Sequence, residues 1–155
     1  MDRSFGGAAL TSKSRIENSR SVVKKVLQLI ERRQQLSRAN LVRIEKYIRE
    51  YGLNPADFTI ANANFQRSLT NDVALGAEIW NARVQLYQSA LGVLAFAQQK
   101  LGQSQWQDGK YTLRQPEDER EIFRLFGLMQ AAGVREGAAI DRYQAHTKNK
   151  KVGID

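Results

Sequence analysis

Cysteine is missing from this chain, histidine occurs once and proline twice. Without cysteine there can be no disulfide and no cysteine-ligated zinc, and the redox compartment leaves no trace in the composition. With His146 alone, histidine-based metal clusters and Glu-x-x-His pairs are excluded by count. Scarce proline removes the commonest interruption of helices. A long hydrophobic run is also missing. The longest uncharged stretch, between Arg83 and Lys100, contains Gln85, Gln88, Ser89, Gln98 and Gln99. It falls short of the roughly 20 apolar residues a membrane span needs. Its alternative reading is a helix lining an oligomeric channel or touching a membrane transiently, but a bundle core satisfies its apolar side chains more simply. No apolar segment follows the first charges, so no cleavable signal peptide is expected, and a cytoplasmic or virion-associated location is favoured.

What is present points to one all-α domain. The 155 residues are 42% hydrophobic, enough for a modest core and too many for a disordered chain. The net charge of +8 is unevenly placed. Residues 1–52 carry 12 Lys/Arg against 5 Asp/Glu, residues 53–115 carry 5 against 4, and residues 116–155 carry 7 against 7. The excess therefore belongs to the first third, which suggests an acidic partner for that segment.

The spacing predicts an elongated bundle of two long helices and a third. Residues 1–13 read as a flexible N-terminal arm, 14–146 as the helical domain, and 147–155 as a basic mobile tail. The first helix is expected over residues 14–51. Ile16, Val23, Leu27, Ile30, Leu41, Ile44, Ile48 and Tyr51 form its apolar stripe, interrupted by Arg20, Gln34 and Ser37. Gly52 supplies its stop. At about 1.5 Å per residue such a helix outruns a compact domain of this size. A long helix with a narrow stripe calls for a partner.

Asn54, Pro55 and Asp57 form a helix-start signal. A short helix through Ile60 is expected there, then a second long one over residues 64–101. That helix carries two apolar stripes: Val73, Trp80, Tyr87, Leu94 and Leu101 on one, and Leu75, Ile79, Leu86, Ala90, Val93 and Ala97 on the other. Two stripes imply packing on both sides, hence the central helix. Ser89 and Gly92 would allow a neighbour to come close.

Residues 105–112 read as a small β-hairpin around Asp108-Gly109, with Trp106 opposite Tyr111. The third helix begins at Pro116 behind Glu117, Asp118, Glu119 and Glu121, as the helix dipole favours. Its stripe is Ile122, Phe126, Met129, Ile140 and Tyr143. Gly127, Gly133 and Gly137 weaken it, and a kink or break near Gly133 is expected.

No constellation of residues matches a catalytic template, no phosphate-cradling glycine loop is present, and no cofactor is implied. The acidic cluster at 117–121 points in several directions, because neighbouring helix positions diverge. His146 reads as a helix-end residue. The expected function is therefore non-enzymatic: a structural or adaptor protein acting by helix packing in a larger assembly, such as a virion or secretion apparatus, as a homo-oligomer or with other subunits. Trp106 and Tyr111 are candidate partner contacts. The alternative is a nucleic-acid or other polyanion contact through Lys24, Lys25, Arg32, Arg33, Arg38, Arg43, Lys46 and Arg49, which avoid the apolar stripe. Few aromatics interleave with these charges, which weakens a stacking mode, and no helix-turn-helix or zinc-finger signature occurs.

Overall fold

The computed structural model of the chain describes residues 7–50 and 55–152. A 3-10 turn, Gly7–Thr11, leads into helix α1, Lys13–Glu50. Helix α2, Pro55–Gln99, returns alongside it. Strands β1, Ser104–Gln107, and β2, Lys110–Leu113, form an antiparallel hairpin, and helix α3, Pro116–Val152, completes the chain. The class is all-α with a small hairpin, as the periodicity predicts. No helix among the described residues is long and apolar enough to cross a membrane.

Helix α2 is the central element. It packs against both α1 and α3, while α1 and α3 hardly approach each other. Its two apolar stripes explain this, since each needs its own neighbour. Ala90, Val93, Leu94 and Ala97 are buried between the two. Gly92 faces Leu125 of α3, at ordinary van der Waals range for an added methyl.

The shared core lies at one end. Leu10, Ile16, Val23, Val93, Leu94, Tyr111, Ile122 and Met129 belong to one buried cluster there. The hairpin closes it. Asp108 (φ 51°) and Gly109 (φ 76°) both take the left-handed backbone that the tight two-residue turn requires. Trp106 pairs with Tyr111 as the register predicts. Tyr111 and Leu113 turn inward, so the helices supply the support that a two-stranded hairpin needs.

Four expectations change. Gly7–Thr11, assigned above to a flexible arm, is ordered because Leu10 is only 1% exposed and contributes to the core. The short helix at 55–60 and the long one after it are a single helix, since nothing between them breaks the backbone ladder. Helix α3 runs unbroken through Gly133 and on to Val152, so no break occurs there and residues 147–152 are helical rather than a loose tail. Packing overrides propensity at Gly133, which sits against Leu86 of α2. The expected stop at Gly52, the cap at Asn54 and the stripe residue Tyr51 lie outside the described residues.

Polar contacts set the register of α2 and α3. Lys100 pairs with Asp118 at 2.8 Å, Arg83 pairs with Glu136, Glu78 with Arg142 at 2.8 Å, and Asp72 with His146 at 2.9 Å. As the α2-side position falls, the α3 position rises in step, which is antiparallel packing with no slip. His146 is therefore a rung between helices rather than a residue at a helix end. The acidic residues at the start of α3 do not converge either: Asp118 reaches Lys100, and Glu121 is held bidentately by Arg124.

Two stability outcomes follow. Leu10→Ala should cost about 2–4 kcal/mol in urea unfolding, far more than an unstructured arm would allow. Gly137→Ala should raise stability by about 0.5–1 kcal/mol in the same assay, because no neighbour lies within 4 Å of the added methyl and alanine is the better helix former.

Candidate interaction surfaces

The eight basic residues all lie on α1, and all are exposed. At about 100° per residue they spread over more than half of the helix circumference rather than lining one row. Arg33 leans over the Trp80 ring, 5.4 Å from its centroid, and Arg83 stands 5.3 Å away from the same ring. Each such contact contributes about 0.5–1 kcal/mol and fixes where Arg33 points. Lys46 pairs with Glu50 at 3.7 Å in an exposed contact of little energetic weight. Among the described residues, no ion pair engages Lys24, Lys25, Arg32, Arg38, Arg43 or Arg49.

The apolar stripe read from the sequence is buried only in its first half. Ile16, Val23 and Ile30 recur every seven residues and face the core, whereas Ile44 is 43% exposed. A second stripe, which the sequence reading missed, lies beside the first. Val22, Leu29 and Leu36 also recur every seven residues, and they are 59%, 64% and 56% exposed. Their spacing was visible in the sequence. What hid them was their adjacency to the core stripe, which made a single amphipathic face a sufficient explanation.

Leu29 also borders a groove of about 340 Å³ between the helices. Val26, Leu29, Ile30 and Arg33 form its α1 wall, Trp80, Arg83 and Tyr87 come from α2, and Glu136 comes from α3. The groove exists because α1 and α3 both lean on α2 and leave the space opposite it open.

At the packed end, Trp106 and Tyr111 separate in role. Tyr111 is 7% exposed and packs into the chain's own core on the inward hairpin face, while it also lines the groove beside Trp106. Trp106 stays 40% exposed beside Phe123 of α3, which is 58% exposed. These two line an open aromatic groove with Phe126, Lys110 and Glu119. Phe123 was not anticipated, since it lies off the apolar stripe of α3.

Burial pushes the Tyr111 phenol above its ordinary value, and the neighbouring Ser104 hydroxyl partly offsets this. A raised phenol holds its proton more tightly in the folded chain. Its contribution to stability is whole below about pH 10 and is lost as pH rises through the raised value. Thermal melts should therefore show a fall in stability above about pH 10 that is shallower in Tyr111→Phe.

Among the described residues, no group of three or more His, Asp or Glu side chains is placed to hold a metal ion. No protein-family model, curated protein or solved structure matches this chain.

Proposed function

We propose that this chain is a non-catalytic helical adaptor that works by packing its helices against other subunits of a larger assembly. One observation carries the reading. Ile30 is the last buried hydrophobic residue described on α1, yet the helix continues to Glu50, about 30 Å further at 1.5 Å per residue. Leu36, Val42 and Ile44 remain exposed on that extension. Isolated helical segments are marginal in water, and helices in proteins draw most of their stability from burying an apolar face. A long, regular helix without such burial is accounted for by a partner that supplies it.

A second reading keeps support from Lys24, Lys25, Arg32, Arg38, Arg43 and Arg49 of α1, which no ion pair engages among the described residues. They form a cationic surface on which a polyanion would release counterions. Their spread around the helix gives that surface no single row matched to a phosphate backbone.

The adaptor reading predicts that tagged chain, gently purified from the cells that make it, elutes in light scattering well above the 17.6 kDa of one copy. A lone, fully helical monomer would refute it. Polyanion binding predicts that affinity for duplex DNA falls about 10³-fold from low to physiological salt. It also predicts that reversing Lys24, Lys25, Arg32 and Arg33 to Glu abolishes the binding.

A further inference from the structure

We infer that the exposed stripe Val22, Leu29 and Leu36 is one half of a coiled-coil seam, and that its occupant is an acidic amphipathic helix of a partner protein. The inference rests on the adaptor reading and narrows it to a partner chemistry.

The spacing comes first. Val22, Leu29 and Leu36 repeat at seven residues, with Val26 four residues after the first. That is a partial heptad seam, in which Val22, Leu29 and Leu36 occupy d positions, Val26 an a position, and Ser19 and Arg33 the a positions on either side of it. The stripe is narrow, one or two side chains per two turns. Helices that lie on a lipid surface need a broad apolar face, with aromatic or leucine-rich content. The outer face of α1 beside this stripe is basic instead. The width fits a helix.

The place for that helix is already shaped. Val26, Leu29 and Arg33 of the seam are also the α1 wall of the groove over Trp80 and Tyr87. A helix laid there would rest on α1 opposite α2, the fourth position of a four-helix arrangement.

Charge then decides who occupies it. In this register the flanking g positions are Lys25 and Arg32, both exposed and free of ion pairs among the described residues. Arg33 projects into the groove and meets a ring, not a carboxylate. Arg83, the other cation of the groove, is already neutralised by Glu136. At the positions that flank the seam the unmatched charge is positive.

A second copy pairing through the same α1 seam cannot supply the complement. In an antiparallel pair Lys25 and Arg32 would face their own like. In a parallel pair they would face the e positions Val23 and Ile30, which are only 2% and 6% exposed and belong to the core. A helix with Glu or Asp beside its apolar seam satisfies both requirements.

The test uses the full chain and a fluorescein-labelled synthetic helix of about three heptads, with Leu at a and d and Glu at e and g. Its own like charges keep it from self-pairing. A control peptide carries Lys at e and g. Anisotropy should show the acidic peptide binding at least about tenfold more tightly than the control. Leu29→Glu with Leu36→Glu should lower that affinity by about tenfold or more. Both sites are exposed, so the variant should keep the wild-type melting temperature. Lys25→Glu with Arg32→Glu should reverse the preference toward the lysine peptide.

Equal binding of both peptides, binding of neither, or acidic binding untouched by the leucine changes would overturn the seam. So would anionic phospholipid vesicles or duplex DNA that bind in its place with the same dependence on Leu29 and Leu36. If the assembly purified from cells keeps its mass in the Leu29→Glu, Leu36→Glu variant, the dock lies elsewhere and only the adaptor reading stands. If wild-type chain is itself a monomer, the adaptor reading falls first.

Discussion

Three helices of roughly 40 residues are anchored by a core that occupies one end of them. Leu10, Ile16, Leu94 and Ile122 are almost wholly cut off from solvent there, and the hairpin closes the end with Tyr111. A core of that extent can stabilise the helices near it, since burying each such side chain contributes about 1.5–3 kcal/mol. It cannot reach the far end of α1. The mismatch between helix length and core length shapes the rest of the molecule.

Helix pairs meet that mismatch differently. Between α2 and α3, rungs of opposite charge continue where the core thins: Arg83 with Glu136, Glu78 with Arg142, Asp72 with His146. The exposed Glu78–Arg142 pair adds little energy, about 0–1 kcal/mol, while the other two are partly buried. Their value is register, because a slip by one turn would break every rung together. Among the described residues, no comparable series of inter-helix ion pairs is seen along helix α1. It carries most of the excess positive charge, and its outer cations face solvent. Its polar contacts with α2 include Arg20 with Gln98 and Arg33 over Trp80.

The same seven-residue interval therefore appears twice on α1. Ile16, Val23 and Ile30 use it to join the chain's own core, and Val22, Leu29 and Leu36 repeat it one residue earlier on the neighbouring face. One face is satisfied internally, and the other is flanked by Lys25 and Arg32. The proposed adaptor role would use that division, in which one surface holds the fold and an adjacent one is offered outward.

Local chemistry alone determined much of this protein. Apolar spacing marked the three helices and made α2 central, Asp108-Gly109 specified the hairpin turn and its Trp106–Tyr111 register, and Pro116 with its acidic followers placed the start of α3. These features depend on residues within a few positions of one another. Other features required the tertiary structure, because they depend on which faces meet. Leu10 is core and not arm because the hairpin and helices close around it. Gly133 does not break α3, and Leu86 lies beside it. His146 is a rung because α3 continues past it opposite Asp72. Tyr111 is buried while Trp106 is not, since only one of the paired rings reaches the helices. The exposed Val22, Leu29 and Leu36 were written in the sequence as plainly as Ile16, Val23 and Ile30. Which of the two stripes would be left uncovered depended on where α2 lay, and a one-dimensional pattern cannot state that.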